Sequence, residues 1–191
     1  MSTLQFVTLL FLAILVFWAV GAVNRLQRLR QAIFDAQPLL AALLSQRHEW
    51  VSQMVAALRP ALPEESASFD RALAASAQAD AALALLQAKP LSAGPISSLS
   101  LAESVLDDAL HSLLLRHEAH EAAQPWVQEW LTAQSQLTAA RLRFNDAAQH
   151  YNDGAQQFPA SIMAALWGFK PALLIDAPRH TAEPVPAGLP Y

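Results

Sequence analysis

The chain has no cysteine among its 191 residues. Disulfides, thiolate zinc sites, iron–sulfur clusters and a cysteine nucleophile are therefore excluded. Lysine is scarce as well. Only Lys89 and Lys170 occur, and neither follows a glycine-rich phosphate loop. A Gly-x-Ser-x-Gly elbow is missing. The net charge of −4 leaves no general basic face for nucleic acid. The zinc-protease pattern needs histidines four apart on one helical face, in His-Glu-x-x-His. His117-Glu118-Ala119-His120 has them three apart, and His48-Glu49 is followed by Ser52 instead of a second histidine. A di-iron bundle needs two Glu-x-x-His elements, and Asp108-x-x-His111 is the nearest approach. We expect no catalytic set, no cofactor and no metal, with His117 and His120 in a solvated or half-buried turn near Trp126 and Trp130.

Charge is also missing, for twenty residues, from Leu4 to Val23. As a helix this segment rises about 1.5 Å per residue and spans about 30 Å, the thickness of a bilayer's hydrocarbon core. Its Leu, Phe, Val and Ile residues, at about −0.4 kcal/mol each, favour insertion by about 5 kcal/mol. Trp18 sits near one end, where interfacial aromatics collect. A buried soluble helix is rarely so uniform. A cleaved signal peptide would want a basic start, and Ser2 and Thr3 are uncharged. Arg25, Arg28 and Arg30 follow at once, with no Lys or Arg before the segment. The positive-inside rule then sets the C-terminal domain in the cytoplasm and the N-terminus outside.

Beyond the anchor the chain is rich in Ala, Leu and Gln, which favour helix. Apolar residues recur three and four apart through Leu26, Leu29, Ile33, Ala36, Leu40, Leu43, Trp50, Met54 and Ala57, with Arg47 at a seam position. This predicts a first helix from about Asn24 to Arg59, kinked at Pro38 and continuous with the anchor. A second helix is predicted over Glu64 to Lys89, followed by a loop to Pro95. A third opens on a capping box, Ser100-Leu101-Ala102-Glu103. A fourth carries the cleanest seam: Val127, Trp130, Gln134, Leu137, Arg141, Phe144, Ala148, Tyr151, Ala155 and Phe158. The expected architecture is all-α, a transmembrane helix followed by an antiparallel up-and-down bundle of about four long helices. Its parts are an anchor (1–23), a bundle (24–170) and a Pro-rich tail (171–191) in which packed structure is not expected.

The fourth helix reads Ala140-Arg141-Leu142-Arg143-Phe144-Asn145, then Tyr151-Asn152, followed by Phe158-Pro159 and Gly168-Phe169. This resembles the LemA family, with its Ala-Arg-x-x-Tyr/Phe-Asn element, a second Tyr-Asn seven residues on, Phe-Pro and Gly-Phe. The entry Asn24-Arg25-Leu26-x-x-Leu29-Arg30 is similar to the family's Tyr-Asn-x-Leu-x-x-Leu-Arg, with Val23 where Tyr is usual. The middle, Glu64 to Gln124, matches only in helical pattern, as in a divergent member. The resemblance implies a helical bundle and attaches no enzymatic activity to it.

On physical grounds Phe144 and Tyr151 share a face and can fill the core, while Asn145 and Asn152 bond across to a neighbouring helix. Arg141 at the seam needs an acidic or carbonyl partner, for which Asp80 and Glu103 are candidates. Helix parity returns the fourth helix to the membrane. There Ile162, Met163, Leu166 and Trp167 would form one face that caps the bundle base or meets lipid headgroups or a membrane partner. The expected role is a non-enzymatic scaffold or interaction protein at the bacterial cytoplasmic membrane. Its partners would be the lipid bilayer and a protein or a second copy, and no nucleic acid. The alternative is a membrane-bound sensor holding a small ligand or metal in the bundle. A membrane-bound hydrolase is a third class, and the residues it needs are not evident.

Overall fold

A computed structural model describes residues 3–158 and 160–176. Pro159 and the tail from 177 onward, with Pro178, Pro184, Pro186 and Pro190, lie outside the described residues. Five α-helices follow one another: α1 (Thr3–Leu58), α2 (Ser66–Ala88), α3 (Ala93–Arg116), α4 (Gln124–Gln156) and α5 (Ala160–Trp167). A single 3-10 turn, Pro63–Glu65, leads into α2. There is no strand among the described residues.

The longest element is α1, whose 56 residues include Pro38 without interruption. At about 1.5 Å per residue it is about 84 Å long. Its N-terminal part is long and apolar enough to cross a membrane, and none of that window is buried against protein. From Leu26 onward one stripe turns inward through Ile33, Leu40, Leu44, Val51, Met54 and Leu58. These residues are spaced so that each returns to the same side of the helix.

The bundle runs up and down as expected. Arg59 meets Asp70 at 2.7 Å across the α1–α2 turn. Arg116, at the far end of α3, reaches back to Glu65 at 3.2 Å. Trp50 donates to Glu129 at 2.7 Å and Arg25 to Gln157 at 3.3 Å, so α4 descends antiparallel to α1. Helix α1 packs against α2 and α4, and α2 against α3. Helices α1 and α3 therefore face each other diagonally across the core. Small residues Ala72, Ala75, Ala79 and Ala82 line the inner face of α2, letting its backbone approach its neighbours.

Two predicted boundaries shift. Helix α3 starts at Ala93 and takes in Gly94 and Pro95, which the sequence assigned to a loop. Proline is tolerated in the first turn, where its missing N–H would have no intrahelical acceptor. The capping box is thereby overturned: Ser100 lies inside α3, and Glu103 is a buried core residue. The bundle also extends past residue 170, because Ala172 and Ile175 are buried in the main core.

At the base α4 turns into α5, whose Ala160 and Ala164 pack with Leu26 in a small separate cluster. Gly168, with φ of 68°, ends α5 in the left-handed region that glycine adopts freely. The next amide, Phe169 N–H, then donates back to the Ala164 carbonyl at 2.9 Å. A second glycine matters for spacing. A Cβ on Gly154 would sit 2.5 Å from Leu29 Cδ1, so α1 and α4 close tightly here. Gly154→Val should destabilise the protein by about 1–3 kcal/mol through overpacking. Adding Leu29→Ala should recover much of that loss. Denaturant unfolding of the detergent-solubilised variants measures both, and an unchanged midpoint for Gly154→Val would rule out the close approach.

Candidate functional site

The bundle's chemistry is concentrated in one buried ionic layer that joins four helices. Arg47 lies on the α1 stripe between Leu44 and Val51, Glu103 and Asp107 sit one turn apart on α3, and Gln134 and Arg141 lie on the α4 seam. Each of these five residues is buried. Arg47 spans the α1–α3 diagonal, with Nη1 donating to Glu103 Oε2 at 3.2 Å and Nη2 to Asp107 Oδ1 at 3.0 Å. A planar guanidinium suits this reach, since its fork meets two carboxylates at once. Gln134 Nε2 also donates to Asp107 Oδ1. Arg141 approaches Glu103 from α4, with Nη2 at 3.6 Å from Oε2.

His48, next to Arg47, extends the layer toward α2. Its Nε2 lies 2.7 Å from Glu103 Oε1 and its Nδ1 3.4 Å from Asp80 Oδ1. Both ring nitrogens thus face carboxylates, and a neutral ring has one N–H to offer them. Ser76 donates to the His48 carbonyl at 3.3 Å. Of the two acids the sequence offered to Arg141, the structure pairs Glu103 with it and gives Asp80 to His48.

Glu103 is the hub. Burial opposes its ionisation, but the His48 hydrogen bond and the charges of Arg47, His48 and Arg141 outweigh that. Its carboxyl is held below the usual carboxylate range. Burial pushes the Arg141 guanidinium down from its ordinary value, against the pull of Glu103. Several buried polar atoms have no hydrogen-bond partner among the described residues: Arg47 Nε, Asp107 Oδ2, Gln134 Oε1, Trp130 Nε1 and both terminal nitrogens of Arg141. Donors outnumber acceptors in that set, with the surplus at Arg141.

The two asparagines of the fourth helix have a different task from the one expected. They clamp the extended return segment 170–176 instead of a neighbouring helix. Asn152 donates to the Ala172 carbonyl and accepts from the Ala172 N–H, both at 2.8 Å. Asn145 does the same for Ile175, at 2.9 and 2.8 Å. Tyr151 is buried and donates its hydroxyl to the Lys170 carbonyl at 2.9 Å. Desolvation raises its phenol above the ordinary value. An amide side chain carries one donor and one acceptor at fixed separation, which matches the free N–H and C=O of an extended strand. Four such bonds and the Tyr151 hydroxyl bond, each worth about 1 kcal/mol net, hold the segment to α4.

The remaining candidates divide between core and surface. Phe144 is fully buried, Leu26 lies beneath α5, and Leu29 packs at Gly154. Arg30 stacks over the Phe34 ring, 5.7 Å from its centroid. Phe169 packs partly against both core clusters. Phe158, on the predicted seam, is instead 82% exposed, because α4 ends before it. Ile162, Met163, Leu166 and Trp167 do not share one face. Met163 turns inward, and the other three stay exposed. His117 pairs with Glu65 at 3.0 Å, and His120 Nδ1 accepts from the Ala122 N–H. No group of three or more acidic or histidine side chains is arranged to hold a metal among the described residues.

Sequence reasoning offered Glu103 only as a cap residue or a candidate partner for Arg141, and it missed Asp107 and His48 as core residues. One signal was present: Glu103 and Asp107 share the stripe of Leu99, Leu106 and Leu110, so two acids face the same core as Arg47 and Arg141.

These features define a class, an all-helical up-and-down bundle carried on a helix whose first third is bare and apolar. The chain belongs to the LemA family, whose sequence model matches residues 39–187. That match takes in the Arg141–Asn152 motif, while the entry element at Arg25–Arg30 lies before it. Curated proteins and solved structures give no match.

Removing the hub's charge should be costly. Breaking a buried pair leaves its partner uncompensated, so Glu103→Gln should lose about 3 kcal/mol at neutral pH. The folded-state pKa of Glu103 is depressed, so its contribution is complete above the unfolded value of about 4.3 and fades as pH falls through the folded one. Urea unfolding across pH 3–7 should therefore show a shallower acid decline in Glu103→Gln than in the parent. Parallel curves would mean that Glu103 does not carry the effect.

Proposed function

We propose that this protein is a membrane-anchored, non-enzymatic scaffold that holds a rigid helical bundle at a fixed distance from the bilayer. The observation that carries this reading is the continuity of α1, which runs from an exposed apolar stretch into the bundle core without a break. A flexible tether would leave the bundle free to tumble at any height, whereas a continuous helix holds it at a fixed height above the bilayer. The ionic layer and the asparagine clamp fit the same role, since both hold helices and return segment in register and neither presents a nucleophile.

On this reading the Arg25, Arg28 and Arg30 cluster faces the cytoplasm, with the bundle on that side and the N-terminus outside. The partner is a protein or a second copy. A sensor holding a small anion in the bundle draws support from the two terminal Arg141 nitrogens, of which Nη2 pairs with Glu103 only at 3.6 Å and both lack a hydrogen-bond partner among the described residues. It ranks second because two carboxylates already balance the layer's two guanidiniums.

A C-terminal reporter active only in the cytoplasm should be active in the full-length protein. Crosslinking in native membranes should yield a discrete adduct with one partner or with a second copy. An extracytoplasmic signal would contradict the orientation, and a reproducible lack of any adduct would count against the scaffold.

A further inference from the structure

Helix α5 sits where the apolar stretch of α1 gives way to charge. Its Ala160 and Ala164 pack on Leu26, with Ala22 alongside. Just before it, Gln157 accepts a hydrogen bond from Arg25. The four steps from Ala22 to Leu26 cover about 6 Å of helix rise, so the part of α5 that packs on them sits at the charge boundary. The chain comes down α4, passes this boundary as α5, turns at Gly168 and climbs back along α4 through the clamped segment 170–176.

Residues Ala160–Trp167 carry no charge. The inward face is small, formed by Ala160, Met163 and Ala164. On the opposite side Ile162 is 48% exposed and Leu166 69%, and two large apolar side chains at the ends of the segment, Phe158 and Trp167, are also exposed, Trp167 by 60%. Cations stand near both ends of α5: Arg25 is bonded to Gln157 just before it, and Lys170 follows it in sequence. An uncharged helix with an outward apolar face, with cations at its ends and packed at the end of a membrane-length apolar helix, has the pattern of an interfacial element.

We infer that α5 is a second membrane contact: it lies in the headgroup region beside the anchor, with Ile162, Leu166 and Trp167 buried in lipid. This rests on the anchor reading above and adds to it a fixed azimuth. An anchor alone lets the bundle rotate and tilt about its axis. A second contact to one side selects which face of the bundle looks along the membrane and which looks away. The occupant is lipid and not protein because α5 packs on Ala22 and Leu26, at the very end of the bare apolar stretch of α1 that the anchor reading already places in lipid.

The absence of cysteine allows single-site labelling of the full chain. Nitroxide labels go at Leu166→Cys, Phe11→Cys and Leu142→Cys, each at an exposed position, in nanodiscs of phosphatidylcholine and phosphatidylglycerol. Leu142 is 57% exposed on α4, and stands about 21 Å of helix rise above the end of that helix. Collisions with oxygen report lipid, and collisions with a water-soluble nickel chelate report water. The oxygen-to-nickel ratio at 166 should be several-fold that at 142 and approach that at 11. A water-like ratio at 166 with a lipid-like ratio at 11 would overturn the interfacial helix and leave the anchor standing. Shielding of 166 from both reagents would mean that protein covers it, which also overturns the proposal. A water-like ratio at 11 would remove the anchor and this inference together.

Discussion

One helix carries two kinds of surface without a break. Its first third presents apolar side chains that are not buried against protein, and the remainder buries a single stripe. Nothing in the backbone marks the change, because an α-helix satisfies its own hydrogen bonds in either medium. The side chains alone mark it, at Ala22 to Arg30, where bare apolar surface gives way to arginines and the first buried leucine. Every other element is placed against this rod, α2 and α4 directly, α3 across the diagonal and α5 at the boundary itself.

The ionic layer is the main departure from an apolar core. Burying two guanidiniums and two carboxylates costs desolvation that their attraction only partly offsets, so the layer is a poor source of stability. Its geometry gives it another use. Because Arg47 must meet both Glu103 and Asp107 while Arg141 reaches Glu103, a one-turn slip of α1, α3 or α4 would strand a buried charge. Leucine seams tolerate such slips far better. The layer thus sets register in a bundle whose α2 is built largely of alanine and whose α3 and α4 touch only lightly.

Much of this was legible in the sequence. The apolar run, the arginines after it and the seam periodicity gave helix number, order and direction, because these follow from spacing along one element. Contacts between elements were less legible. Ser100-x-x-Glu103 fits a capping box as well as it fits a core position, and only the helix start at Ala93 decides between them. Asn145 and Asn152 lie beside the core aromatics Phe144 and Tyr151, a placement that fits a bond to a neighbouring helix as well as one to the return segment. An extended segment with free backbone groups is nonetheless a natural partner for an amide side chain. Met163 was grouped with Ile162 and Leu166 by hydrophobicity alone, and over eight residues that pattern cannot tell which side faces Leu26.

Helix, layer and clamp converge on one claim, that the apolar N-terminal segment and the bundle form a single rigid body. Hydrogen exchange on the full chain in nanodiscs tests it at residues 19–36. An unbroken helix predicts slow exchange throughout, with no fast amide between Ala22 and Arg30. A run of rapidly exchanging amides at that boundary would show a hinge between anchor and bundle, and would contradict the account.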